Sequence, residues 1–149
     1  MVQRLKQNRR YFIMAYLTVD EYRQFHFQEI DEASFDKVLM RATMAINSVT
    51  HFRLVKNDKL MDDWPDWMKE QFKQAVGLQM EYMAKTGIET ASDARDMGNI
   101  SSSSIGDTTV STTGKSDAGS SDTSLYLSPD VLSILGALGL LYKGVAYVR

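Results

Sequence analysis

The chain has 149 residues, 44% of them apolar and 24% charged, with a formal net charge of -2 and no cysteine. That length supports one domain with a genuine hydrophobic core, and the charge balance argues against sequence-independent attraction to DNA phosphates as the main task. Without cysteine, disulfides, thiolate chemistry and cysteine-based zinc sites are excluded.

The opening residues, "MVQRLKQNRRYFIMAYLTVD", place basic side chains before an apolar run, as a secretory leader does. The run from Tyr11 to Leu17 is short, no small-residue cleavage site follows, and Asp20, Glu21 and Arg23 come straight after it. Export is therefore not expected. Thr18 and Glu21 have capping-box spacing, which predicts a short helix through Tyr22 and Phe25 ending near Phe27.

A longer amphipathic helix follows, because Phe35, Val38, Leu39, Ala42, Ile46 and Val49 recur at helical spacing after Asp31 and Glu32. Another is predicted after Trp64, with Pro65 at its first position, Asp66 at the positive end of the dipole and Gly87 as a left-handed stop. Its apolar face comprises Met68, Phe72, Ala75, Val76, Tyr82 and Met83. Gln79 interrupts that face and needs a hydrogen-bond partner if it is buried. The two long helices are expected to pack antiparallel.

The stretch "NISSSSIGDTTVSTT" has β-branched flanks around Gly106-Asp107, a pair suited to a type II′ turn. It predicts a β-hairpin over 99–113 whose two faces are too polar to stand alone. Within an expected tether over 114–127, "GKSDAGSSDTS" has linker composition and an expected span of roughly 18 Å.

Ser128-Pro129-Asp130 then starts another helix, with Val131, Leu132, Leu135 and Leu138 apolar and Gly136 and Gly139 weakening it. The last residues, "LLYKGVAYVR", are too apolar for a solvated tail, yet the C-terminal stretch is too broken by glycines and Lys143 to span a membrane. It must dock on its own core or on another subunit. The expected organisation is an N-terminal extension (1–13), a helical domain (14–98), the hairpin (99–113), the tether (114–127) and a C-terminal helix with docking arm (128–149). The fold class is mainly α: a small helical bundle with a β-hairpin and an extended C-terminal arm. A chain ending at Ser128 is expected to keep its helical domain.

Catalytic signatures are lacking. His26 and His51 lie far apart without a second ligand at i+4, and read as surface or helix-end residues. Asp62 and Asp63 mark a loop before a helix, and the serine run has no base beside it. Trp64 and Trp67 lack basic neighbours for base stacking and read as core or interface anchors. Arg4, Lys6, Arg9 and Arg10 form the one basic cluster, usually a solvated feature but able to meet an acidic partner. We expect no enzyme, no cofactor and no metal.

From about Met14 to the C-terminus, "YLTVDEYRQF", "FDKVLMRATMAINSVT", "FKQAVGLQMEYMAKTGIE", "SSSIGDTTVS" and "LSPDVLSILGALGLLYKGVAYV" occur in an order that resembles the head–tail connector (adaptor, or head-completion) proteins of long-tailed bacteriophages. Members commonly open at a position like Met14, so residues 1–13 are expected to be dispensable. The resemblance implies a virion protein, made in the host cytoplasm, that self-assembles into a ring of about a dozen copies. The ring would bind the portal protein on one side and a stopper or tail-completion protein on the other, and DNA would pass through its lumen without sequence-specific binding. No membrane contact is implied. By carry-over, Leu140, Leu141, Tyr142, Val145, Tyr147 and Val148 are expected to dock on the portal. Ile105, Gly106, Asp107, Thr108 and Val110 are expected to contact a neighbouring subunit or the stopper. The competing expectations are another neck or tail-completion protein, or a small cytoplasmic helical regulator that binds nucleic acid through the basic N-terminus.

Overall fold

Thr18 opens the first helix, α1 (Val19–Gln24), through a complete capping box. Its hydroxyl accepts from the Glu21 amide at 3.3 Å, and its own amide donates to the Glu21 carboxylate at 2.9 Å. This comes from a computed structural model, which describes residues 16–100 and 126–142. The helix stops before the expected Phe27, because His26 takes a left-handed φ of 56° and turns the chain. The turn lets Phe27 fold back against the Tyr22 ring, with centroids 5.6 Å apart, while the Tyr22 hydroxyl donates to the Gln28 carbonyl at 2.6 Å.

Two long helices carry the fold: α2 (Glu32–Val49) and α4 (Asp66–Thr86), with the short α3 (Arg53–Lys56) between them. Phe35, Val38, Leu39, Ala42, Ala45 and Ile46 of α2 are buried, as are Phe72, Ala75, Val76, Met80 and Met83 of α4. Fully buried Ala42, Ala45 and Ala75 leave room for the two backbones to approach. Lys37, near the start of α2, meets Glu89 just past the end of α4 at 2.9 Å, so the pair runs antiparallel as expected. Gly87 ends α4 with a φ of 72°, also as expected.

The end of α2 is a Schellman turn. The Phe52 amide reaches the Asn47 carbonyl at 2.8 Å and the His51 amide reaches Ser48 at 3.2 Å. His51 holds the left-handed position that glycine usually takes, with a φ of 56°.

Gly77, in the middle of α4, has a specific cause. A Cβ there would lie 2.3 Å from Cε2 of Phe27, so the aromatic ring packs directly on the helix backbone. Phe27 cannot simply swing aside, since Tyr22 and Phe25 flank it at 5.6 and 5.8 Å. Gly77→Ala should therefore lose stability: overpacking costs about 1–3 kcal/mol against roughly 1 kcal/mol gained in helix propensity. In a Phe27→Leu background the same change should become neutral or stabilising, and urea midpoints of the four proteins measure this.

Two expectations need correction. Asn99 and Ile100, placed on the first strand of a hairpin, belong instead to a helix, α5 (Ala91–Ile100). Thr90 and Asp93 start it with a second reciprocal cap, the Thr90 hydroxyl accepting from the Asp93 amide at 3.2 Å and the carboxylate accepting from the Thr90 amide at 2.9 Å. No strand occurs among the described residues, and the remainder of the expected hairpin, 101–113, lies outside them. So do the N-terminal extension 1–13 and residues 114–125 of the expected tether.

The second correction concerns the C-terminal helix, α6 (Pro129–Ala137), which is no separate arm. Val131 and Leu135 are fully buried, and with Leu127 and Leu140 they join the same core as Leu17, Ile46, Phe72 and Met80. α6 packs along α4. The Ser128 side chain makes no capping bond. Its backbone amide donates instead to the Gln79 side-chain oxygen at 3.0 Å, while the Gln79 amide nitrogen donates to the Tyr126 carbonyl at 3.0 Å. That is the partner pair a buried glutamine on the apolar face of α4 required.

Candidate functional site

The end of α6 decides where the expected docking residues lie. Gly139 takes a φ of 74°, its amide reaches the Gly136 carbonyl at 3.0 Å, and the Leu140 amide reaches the Leu135 carbonyl at 3.0 Å. These two bonds make a Schellman motif, whose geometry folds the residue after the glycine back onto the last helical turn. Gly139 is thus a stop rather than a weak point. The Arg53 guanidinium fixes the turn by donating to the Gly139 carbonyl at 3.2 Å.

Leu140 consequently sits in the chain's own core, only 4% exposed, which removes it from any docking surface in this conformation. Leu141 is half-buried against the core, while Tyr142 is 68% exposed. Val145, Tyr147 and Val148 lie outside the described residues, as do Ile105, Gly106, Asp107, Thr108 and Val110. The structure therefore places only Tyr142, of all the expected contact residues, on described solvent-facing surface.

Sequence reasoning missed most of the neighbouring surface. A groove of about 470 Å³ runs between the start of α4 and the outer flank of α6. Trp67, Glu70 and Gln71 of α4 line it together with Ser133, Ile134, Ala137 and Leu138 of the α6 segment. The volume falls within the roughly 300–1,000 Å³ of typical ligand clefts. Trp67 is 61% exposed, unusual for so large an apolar side chain. Trp64, by contrast, packs edge-on against Phe72 at 5.7 Å. The two tryptophans thus divide the roles of core and surface anchor. Tryptophan exposed beside an apolar wall is the residue type that most often anchors a protein contact.

A second hollow, about 290 Å³, lies beside α1 and is lined by Tyr22, Arg23, His26, Glu29 and Phe35. Burial, with the charge of Glu81 second, pushes the Tyr22 hydroxyl up to about 12, so it stays a donor and is already committed to Gln28. Nothing there converges on a reactive centre. Both histidines sit just past helix ends, and no group of acidic, histidine or cysteine side chains among the described residues is arranged to hold a metal. Asp62 and Asp63 are exposed in the loop before α4.

Electrostatics serves positioning. Glu21 ties α1 to α4 through Lys73, and Glu81 accepts from the Gln28 amide at 3.0 Å. Burial works against the Glu21 charge, but hydrogen bonds from Lys73 and Thr18 outweigh it and hold the carboxyl below its usual range. Half-exposed ion pairs of this kind contribute about 1 kcal/mol at most. Among the described residues, no helix is long and apolar enough to cross a membrane.

Against known proteins, no family model and no solved structure matches the chain. It is 29% identical to the uncharacterized protein ORF4 of Lactococcus phage mv4, over 89% of this chain and 97% of that protein. It is 26% identical to the uncharacterized protein ORF4 of Lactococcus phage LL-H, over 88% of this chain and 96% of the relative. Similarity that runs nearly end to end with two phage proteins indicates a bacteriophage protein.

Proposed function

We propose that the chain is a structural virion protein that assembles into a ring joining the portal vertex to the stopper or tail of a long-tailed phage. The end-to-end similarity to two phage proteins carries this reading. The exposed Trp67 groove beside α6 supports it, because a subunit that finishes its burial on its neighbours leaves such surface open. The net charge of -2 suits a lumen through which DNA slides without adhering.

In this reading Tyr142 and the apolar residues after it, Val145, Tyr147 and Val148, supply a docking arm. Ile105–Val110 supply contacts to a neighbouring subunit or to the stopper. Leu140, 4% exposed, completes the core and is left out of the arm in this reading.

Native mass measurement of the chain mixed with the portal protein of the same phage tests the reading. A complex holding many copies of the chain per portal is expected. A chain that ignores the portal and instead binds double-stranded DNA tightly, with affinity lost when Arg4, Lys6, Arg9 and Arg10 are neutralised, would replace it with a nucleic-acid-binding regulator.

A further inference from the structure

We infer that the Trp67 groove receives the C-terminal segment, residues 143–149, of a second copy of the same chain, making a head-to-tail contact. The inference rests on the ring reading above and names the surfaces that would build it.

Three observations lead here. The groove has one apolar wall on α6, Ile134, Ala137 and Leu138, and an exposed aromatic anchor on α4, Trp67. The segment beyond Tyr142, "KGVAYVR", is short, apolar at its centre, and cationic at Lys143 and Arg149. The charged residue that lines the groove is acidic, Glu70, and within five residues of Trp67 along the chain Asp62, Asp63 and Asp66 are also exposed, against one Lys69. Seven extended residues reach about 23 Å, enough to cross a groove of this size. Bound as an extended chain, Val145 and Tyr147 would share one side and could both face Trp67.

A neighbour's groove is the one the ring reading requires, and the turn at Gly139 is compatible with it. The Schellman turn at Gly139 lays Leu141 beside Gly136, where a Cβ would be 3.7 Å from Leu141 Cδ1. At 3.6 residues per turn, Ile134, Ala137 and Leu138 lie about 100–160° around the α6 axis from Gly136, and Ser133 about 60°. Leu141 therefore lies on a different flank of α6 from Ile134, Ala137 and Leu138. An arm and a socket made of different residues of the same chain form a heterologous pair when they meet between copies, the kind that propagates into a ring.

The test uses full-length chains and sedimentation velocity over a range of concentrations. Trp67→Ala spoils the socket, and Tyr147→Ala spoils the arm; Trp67 is exposed enough for its variant to fold, which circular dichroism verifies. The wild type is expected to associate beyond dimers as concentration rises, and each variant to weaken about thirty-fold or more. Mixing the variants leaves one sound socket and one sound arm, so the mixture should stop at a heterodimer that neither protein forms alone. Undiminished association of both single variants, or a mixture that stays monomeric, would overturn the inference. So would loss of portal binding in Tyr147→Ala with self-association intact, because the arm would then belong to the portal. A wild type that is monomeric at every concentration also overturns it, whereas the ring reading itself falls only if the mass measurement with portal shows no multi-copy complex.

Discussion

A chain ending at Ser128 should unfold. The truncation removes Val131 and Leu135, both fully buried, and Leu140, nearly so, together with the half-buried Leu132, Ile134, Leu138 and Leu141. These three buried aliphatic side chains alone contribute roughly 5–9 kcal/mol. A domain of this size has only about 5–15 kcal/mol of net stability. The loss also strips the covering from the α4 face that holds Val76, Gln79 and Met80. Far-ultraviolet circular dichroism should show collapse of helix content well beyond the nine residues of α6, and the urea transition should vanish or move close to zero denaturant. A chain ending at Tyr142, which retains the whole described core, is the control and should melt like the full-length protein at concentrations where the latter is monomeric. A Ser128 truncation that melts cooperatively near the wild-type midpoint would mean that α6 is an appendage after all.

Gln79→Met should cost about 2–5 kcal/mol, although methionine fills nearly the same volume on an otherwise apolar face. The glutamine is completely buried and serves both partners at once, donating to the Tyr126 carbonyl and accepting from the Ser128 amide, each at 3.0 Å. Methionine satisfies neither. Each orphaned group costs about 1–3 kcal/mol, with the Tyr126 carbonyl at the lower end because its bond is only part-buried. Because those groups lie in the segment that leads into α6, hydrogen exchange at residues 126–137 should accelerate more than exchange in α2. Gln79→Glu separates shape from hydrogen bonding. Burial would raise the new carboxyl's pKa above its unfolded value, so its charged form destabilises at neutral pH. As pH falls through that raised pKa the carboxyl becomes neutral, regains a donor for Tyr126, and the stability deficit should shrink. Equal destabilisation of Gln79→Glu at pH 7 and at pH 5 would contradict the proposed clamp.

Much of the fold was legible because local chemistry fixes helix ends and periodicity fixes helix faces. Thr18 with Glu21 and the left-handed Gly87 marked boundaries where the structure has them. The same logic applied to Thr90 and Asp93, and missing that cap is what let Asn99 and Ile100 be read as strand. Gly77 carried a weaker signal, an isolated glycine within a helical pattern, which indicates close approach without naming Phe27 as the visitor. At the candidate site, the sequence marked Trp67 and Tyr142 as large side chains needing company, but not the α6 flank that forms the opposite wall.

By itself the amino-acid order determined the starts marked by Thr18 and Ser128-Pro129, the stop at Gly87, which faces of the long helices are apolar, and that Gln79 must find a partner. Those properties depend on neighbours within a few residues. Only the tertiary structure decided that Val131, Leu135 and Leu140 complete the chain's own core while Trp67 and Tyr142 stay outside. Apolar character states that a side chain must be covered; which surface covers it depends on how the Gly139 turn and the antiparallel pairing of α2 with α4 bring distant segments together.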